Sequence, residues 1–183
     1  MKKFFALSLL ALVTMISSTA LAQKPVTVGG APMFPNKNII ENAVNSKDHT
    51  TLVAAVKAAG LVETLQGSGP FTVFAPVNAA FDALPAGTVD TLLKPENKGT
   101  LTSVLTYHVI AARLNSKALE RTIKQGGGRA ILKTVQGGEL TATMSGGDIN
   151  ITDAKGNMAR ITITNVNQSN GVIHVVDRVL LPQ

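Results

Sequence analysis

The spacing of apolar residues changes near position 129, and this change limits the folds that the chain can adopt. Before it, apolar side chains recur at the i, i+3, i+4, i+7 spacing of a helix stripe. The clearest stripe consists of Leu101, Val104, Leu105 and His108. After it, apolar and polar residues alternate, as in strands with one buried face. Helices followed by strands predict an α+β fold and argue against a nucleotide-binding fold of alternating strands and helices.

Five segments have the patterns of β-strands. Residues 139–144, 149–152 and 159–164 alternate between apolar and polar side chains, and turn-forming residues rich in glycine separate them. These three are expected to be antiparallel and half-buried. Residues 71–75 are bounded by prolines and also predict a strand. The nearly continuous apolar run 172–181 predicts a strand that is buried on both faces at the centre of the domain.

Capping residues indicate where helices begin and end. Asn38 and Asp48 each precede a predicted helix, and Gly60 is expected to end the second one. Asn78 follows the strand at 71–75. It is predicted to be the N-cap of a short helix that contains Phe81, in preference to an exposed contact residue.

The first 22 residues predict a secretory signal peptide. Lys2 and Lys3 are followed by an apolar stretch, Phe4–Ile16, and by Ala20-Leu21-Ala22, which has the small residues of a cleavage site. The apolar stretch is too short to span a bilayer. We therefore expect cleavage before Gln23 and a secreted or periplasmic product.

The remaining sequence predicts one folded domain with a short lead-in. Residues 23–37 contain three prolines and a glycine pair, and they are expected to form an extended N-terminal segment. Met33 and Phe34 are the residues of this segment expected to dock on the domain. The domain itself is predicted over residues 38–182.

Composition excludes several classes of site. The chain has no cysteine, so a disulfide framework, a thiolate zinc site, an iron–sulfur centre and a thiol nucleophile are excluded. The formal net charge is +6, but aromatic residues make up only 4% and tryptophan is absent. The stacking surface of a single-strand nucleic-acid binder is therefore missing. Beyond the signal peptide, no run could cross a membrane.

Three motifs give the chain a family resemblance. Residues 72–81 and 170–182 resemble the two signature boxes of the fasciclin domain, and Tyr107-His108-Val109 resembles its central Tyr-His motif. Each occurs once, as in single-domain secreted bacterial members. The signature residues carried over are Phe74, Ala75, Pro76, Asn78, Phe81, Tyr107, His108, Gly171, His174 and Asp177.

The resemblance implies a fold and a function. The implied fold is a wedge-shaped β-sandwich with helices packed on one side. The implied function is that of a secreted, non-enzymatic adhesion or interaction module, a monomer whose partner is a cell-surface or matrix protein or a glycan. The alternative is a periplasmic carrier that holds a small apolar or sugar ligand between the helices and the sandwich. Neither hypothesis includes a cofactor, a metal, nucleic acid or a membrane span.

The sequence favours a structural role for the histidines over a catalytic or metal-binding role. His108 lies on an apolar stripe, where a hydrogen-bonded core residue is the favoured interpretation. His174 and Asp177 are three positions apart in the predicted strand, so they face opposite ways and cannot share one site. A zinc site with His108 and His174 would need a third ligand, for which His49 and Asp82 are the candidates considered, and it is disfavoured.

A structural role is also predicted for the central motif. Tyr107, His108 and Asp177 are expected to hold the helical half of the domain against the sandwich. The alternative is that Tyr107 and His108 are exposed and form the adhesive surface. No Gly-x-Ser-x-Gly elbow or His-Glu-x-x-His helix occurs in the sequence, which argues against a hydrolase or metal enzyme.

Overall fold

The computed structural model describes residues 24–183, in which helices dominate the first half and strands the second. The predicted signal peptide lies outside the described residues. The helices are α1 (Ile39–Ala43), α2 (Thr50–Ala59), α3 (Val62–Gln66), α4 (Asn78–Asp82), α5 (Thr88–Leu92), α6 (Lys98–Tyr107) and α7 (Ser116–Gln125). The strands are β1 (Val26–Val28), β2 (Ala31–Met33), β3 (Phe71–Pro76), β4 (Val109–Ile110), β5 (Arg129–Lys133), β6 (Glu139–Ser145), β7 (Asp148–Thr152), β8 (Met158–Gln168) and β9 (Gly171–Val176). The predicted α+β class is confirmed.

Strands β3 to β9 form one sheet of seven strands that nearly closes on itself. Their order is β4-β3-β9-β8-β7-β6-β5, and all neighbours are antiparallel except the parallel pair β3 and β9. The backbone N–H of Val135, just beyond β5, donates to the carbonyl of Val109 in β4 at 2.8 Å. This bond joins the two ends of the sheet.

The core consists of two clusters that lie on opposite faces of β3 and β9. Val73 and Ala75 of β3 belong to the first cluster, whereas Phe74 between them belongs to the second. Helices α1 to α4 and α6 contribute buried residues to the first cluster, and α7 contributes to the second. The predicted packing of helices on one side thus holds for five helices, while α7 lies on the other side.

The apolar run 172–181 forms a central strand that is shorter than predicted. Every residue of β9 is buried, as expected for a strand covered on both faces. The strand ends at Val176, and the last seven residues leave the sheet. Val179 and Leu180, which follow the strand, are therefore buried in the first and the second core cluster and are not paired with a neighbouring strand.

Of the helix boundaries predicted at Asn38, Asp48 and Gly60, the first and the last are confirmed and that at Asp48 is wrong. Asn38 accepts a hydrogen bond from the N–H of Glu41 (2.9 Å), while the Glu41 carboxylate accepts from the N–H of Asn38 (2.7 Å), which is a capping box. Gly60 ends α2 with a φ of 75°. Asp48 does not cap α2, because it lies inside a 3-10 turn, Lys47–His49, that precedes the helix.

The predicted extended lead-in contains a β-hairpin. Strands β1 and β2 pair antiparallel across Gly29 and Gly30, whose φ values of 57° and 77° suit a tight two-residue turn. Met33 is buried in the first cluster, as expected. Phe34 is exposed, contrary to the expectation, because side chains alternate and its neighbour Met33 takes the inward position.

Candidate functional site

The first signature box lies at the centre of the molecule. The Phe74 ring is fully buried in the second core cluster, whereas Ala75 and Phe81 are buried in the first. Pro76 is the last residue of β3, where it is paired with Val176 of β9. None of these four side chains offers a polar group, so they contribute to the box by packing.

Asn78 caps a helix other than the one predicted. It lies inside α4, and the cap position of α4 is taken by Val77. The Asn78 side chain instead accepts from the N–H of Thr51 (3.1 Å) and from the Thr50 hydroxyl (3.2 Å), both in the first turn of α2. Its amide donates to the carbonyl of Lys47 at 2.9 Å. Asn78 therefore caps α2 from a distance and joins it to α4.

Tyr107 ends α6 and is fully buried, with 0% of its surface exposed. Its hydroxyl donates to the carbonyl of Glu139 at 2.7 Å and accepts from the N–H of Ala154 at 2.9 Å. These bonds join α6 to the start of β6 and to the turn between β7 and β8. Burial raises the pKa of the Tyr107 phenol, so it remains a neutral donor.

His108 is buried beside Tyr107 and ties α6 to the C-terminal segment. Its Nδ1 lies 2.8 Å from the Val104 carbonyl, which can only accept, so Nδ1 carries the proton. Its Nε2 then accepts from the N–H of Leu180 at 2.9 Å. Burial lowers the pKa of His108 to about 4. The ring is therefore a neutral bridge in a fixed tautomer.

The buried carboxylate near these two residues belongs to Asp153, which the sequence analysis missed. Oδ1 accepts from the N–H groups of Lys155 (2.9 Å) and Asn157 (2.8 Å), and Oδ2 accepts from the Asn157 amide (3.0 Å) and the N–H of Leu181 (2.9 Å). Asp153 is the first residue of a turn that ends in Gly-Asn, and this was the sequence feature that could have identified it. Asp153 and His108 thus hold consecutive backbone N–H groups of the C-terminal segment. We call Tyr107, His108 and Asp153 the signature junction.

Asp177 takes no part in this junction, contrary to the prediction. It follows the last residue of β9, and its side chain is 39% exposed. Its carboxylate accepts from the N–H of Arg160 at 2.8 Å and lies 3.8 Å from the Arg160 guanidinium. Because β9 ends at Val176, Asp177 lies at the end of this strand, where its side chain is hydrogen-bonded to Arg160 of β8.

His174 holds the bulged strand β8 against the start of α7. The ring is fully buried and stacks on Phe74 with 5.9 Å between centroids. Its Nε2 donates to the Leu114 carbonyl at 2.8 Å, and Nδ1 accepts from the N–H of Asn165 at 3.4 Å. Burial lowers the pKa of His174. The partners of His174 are thus separate from those of Asp177.

Gly171 is required by the close approach of β3 to β9. A Cβ on this residue would lie 2.5 Å from the carbonyl oxygen of Phe71, the residue opposite it in the parallel ladder. No side chain can occupy that distance without moving one of the two strands. Gly171 is therefore a packing residue.

The four residues considered for a zinc site are not brought together. His108 and His174 bind different carbonyl oxygens, and His49 is hydrogen-bonded to the Ser46 hydroxyl at 2.8 Å. Asp82 is exposed at the end of α4. Within residues 24–183, no three His, Asp or Glu side chains are grouped so that they could hold a metal ion.

An apolar cavity lies in the first core cluster, between the helices and the sheet. Its volume is about 80 Å³, and its lining includes Met33, Ile39, Val56, Leu105 and Ile173. His49 also lines it. Burial lowers the pKa of His49, and its Nε2 has no hydrogen-bond partner among the described residues. This cavity is where the carrier hypothesis would place a ligand.

The roles of the two aspartates can be separated by matched substitutions. Asp153→Asn replaces one of the two acceptor oxygens with a donor that faces the N–H of Leu181. We expect it to lower the free energy of unfolding by about 2 kcal/mol, since a buried donor is left unpaired. Asp177→Asn is the control, and we expect a loss below about 0.5 kcal/mol because the side chain is at the surface. Urea unfolding of both variants measures this, and equal losses would contradict the assignment of Asp153 to the junction.

Comparison with known proteins places the chain among fasciclin-domain proteins. The family model "Fasciclin domain" matches residues 47–182. Protein sll1483 of Synechocystis sp. is 42% identical over 160 residues, which cover 87% of this chain and 82% of the relative. The cell surface glycolipoprotein MPB83 of Mycobacterium bovis is 34% identical over 166 residues, which cover 88% of this chain and 68% of the relative.

A solved structure shows the same fold. It is the FAS1 domain pair of fasciclin I, which is described as an insect cell adhesion molecule. The TM-score is 0.71 at 19% identity, and the match covers 80% of this chain and 51% of the other. The chain thus spans about half the length of that domain pair. In residues 24–183, no helix has the length and apolar content needed to cross a membrane.

Proposed function

This chain belongs to the fasciclin domain family, and from that premise we propose that it is a non-catalytic interaction module which works outside the cell or at its surface. Its partner is a cell-surface or matrix protein or a glycan. A relative that is 34% identical is named as a cell surface glycolipoprotein, which supports this location. The predicted signal peptide supports it as well.

The observation that carries the proposal is that the polar side chains of three signature residues are all hydrogen-bonded inside the domain. His108, His174 and Tyr107 are buried, and each polar atom of their side chains has a backbone partner at 2.7–3.4 Å. A general base or a nucleophile must reach a substrate. These groups instead join helices to strands, so the family signature supports the fold and leaves the outer surface for a partner.

The carrier hypothesis is the second candidate, because an apolar cavity does lie between the helices and the sheet. Its volume of about 80 Å³ is roughly half of the 150 Å³ that accommodates benzene in an engineered protein cavity. A sugar or a larger apolar ligand would need the core to expand. Size therefore favours a binding function at the outer surface over a carrier function.

The two functions can be distinguished with the purified full chain. We expect fluorescently labelled protein to bind cells of the producing organism saturably, in competition with unlabelled protein, while heat-unfolded protein does not compete. We also expect its native mass spectrum to contain no stoichiometric small molecule. A bound small molecule together with no saturable cell binding would replace the proposed function with that of a carrier.

A further inference from the structure

Positive charge is concentrated in one stretch of the chain. Residues 113–133 contain six Lys or Arg residues and a single carboxylate, whereas residues 24–112 contain six of each sign. Residues 134–183 contain three basic and four acidic residues. The whole positive excess of the described chain therefore lies in residues 113–133, which we call the basic segment. It comprises α7, β5 and their connections.

Helix α7 presents a stripe of cations to solvent. Lys117, Arg121 and Lys124 are exposed and occupy positions i, i+4 and i+7, which share one face of the helix. At a rise of 1.5 Å per residue the stripe is about 10 Å long. The opposite face carries Leu119 and Ile123, which are 0% and 1% exposed in the second core cluster.

Strand β5 carries further exposed cations. Arg129, Ile131 and Lys133 are exposed, while Ala130 and Leu132 between them are buried in the same cluster as the apolar face of α7. Helix and strand thus pack on each other through the core, so the exposed side chains of β5 lie on the face of the strand that is turned away from α7. The sixth cation, Arg113, donates to the carbonyl groups of Gln168 and Ser169.

These charges are not neutralised within the molecule. Across residues 24–183, the ion pairs shorter than 4 Å are those of Arg160 with Asp148 and Asp177. The basic segment therefore keeps its positive field and attracts anions from solution.

We propose that the cation stripe of α7 is the docking surface for an anionic polysaccharide, an inference that rests on the proposed function and specifies its partner. The cations are spread along one face of a helix and do not converge on a pocket. Each contact is therefore weak, and only a ligand with repeated charges gains appreciable affinity.

Two features favour a polysaccharide over other polyanions. The apolar residues of α7, Leu119 and Ile123, are used by the core, so the helix has no apolar face to insert into a lipid bilayer. The basic segment contains no aromatic residue on which a nucleic-acid base could stack. A chain of charged sugars needs neither feature.

The test compares two triple variants of the full chain that have the same net charge. In one, Lys117→Gln, Arg121→Gln and Lys124→Gln remove the α7 stripe. In the other, Lys47→Gln, Lys94→Gln and Lys155→Gln remove exposed lysines elsewhere. The probe is polygalacturonate, and neutral dextran is the control polymer. Binding is measured by biolayer interferometry at about 50 mM and about 500 mM NaCl, since salt screens exposed charges.

We expect the α7 variant to bind polygalacturonate about tenfold more weakly, as three contacts that each contribute about a factor of two would give. The control variant should change by less than about threefold, and high salt should abolish the binding. Equal losses in both variants, or no binding of polygalacturonate by the wild type, would overturn the inference. So would tighter binding of phosphatidylglycerol vesicles or of duplex DNA.

Cell binding separates this inference from the proposed function. If the α7 variant binds cells as the wild type does, the docking surface is wrong while the proposed function stands. If wild-type protein does not bind cells at all, the proposed function itself fails. Gln is a good helix former, so circular dichroism should show both variants folded.

Discussion

Replacing Tyr107 with alanine is expected to lower the free energy of unfolding by about 5 kcal/mol. The ring is fully buried, and truncation of a buried aromatic residue costs about 3–5 kcal/mol for the lost packing and the cavity. The loss of the hydroxyl also leaves the N–H of Ala154 without its partner, which adds about 1–3 kcal/mol. Total stabilities are about 5–15 kcal/mol, so the variant should be partly unfolded at 37 °C. Urea unfolding followed by circular dichroism measures the change.

Tyr107→Phe is the matched control, because it keeps the ring and removes the hydroxyl. We expect it to lose only about 1–3 kcal/mol and to remain folded. It also tests the alternative in which the Tyr-His pair is the adhesive surface. If Tyr107→Phe is as stable as the wild type but no longer binds cells, then the buried, structural role assigned to Tyr107 is wrong.

Acidification is expected to destabilise the protein between pH 6.5 and pH 4. The pKa of His108 is about 4 in the folded state and 6.5 when the ring is free, so the unfolded chain takes up a proton first as the pH falls. The stabilisation is complete above pH 6.5 and is lost by about pH 4. The difference of about 2.5 pH units corresponds to about 3 kcal/mol. Burial also lowers the pKa values of His49 and His174, which act in the same direction.

His108→Gln isolates this contribution. The Gln side-chain oxygen can take the place of Nε2 and accept from the N–H of Leu180, but it does not titrate. We expect the variant to be less stable at pH 7, because the bond to the Val104 carbonyl is lost. Its stability should fall less steeply between pH 6.5 and pH 4. Urea midpoints at pH 7, 5.5 and 4.5 provide the measurement, and a slope equal to that of the wild type would exclude His108 as the titrating group.

Helix α7 shows where the sequence patterns were insufficient. In this polar segment the buried apolar residues are Leu119 and Ile123. The helical spacing of apolar residues is therefore represented in the sequence by a single i, i+4 pair. The clearest local signal was Asn115, whose side chain accepts from the N–H of Ala118 at 2.8 Å and caps the helix. A capping residue without a longer apolar stripe is too common to predict a helix. That this segment is a helix with its cations on one exposed face was therefore recognised only from the packed structure.

The carboxylates illustrate a second limit of prediction from the sequence. The sequence suggested Asp177 as the buried partner of Tyr107 and His108, because it lies within the nearly continuous apolar run 172–181. Burial of that carboxylate depended on where the strand ended. The strand ends one residue before Asp177, and a turn carries Asp153 to the C-terminal segment instead. Contacts between residues 28 positions apart leave no periodic pattern in the sequence.

Features that depend on neighbouring residues could be predicted from the sequence alone. The capping box of Asn38 and Glu41, the end of α2 at Gly60 and the alternating strands each arise from bonds or periodicities within a few residues. Which helix Asn78 caps, and which carboxylate completes the signature junction, depend on how distant segments pack. A short polar side chain can bind any backbone N–H that the fold brings within about 3.2 Å, and the packing of the core selects which one that is.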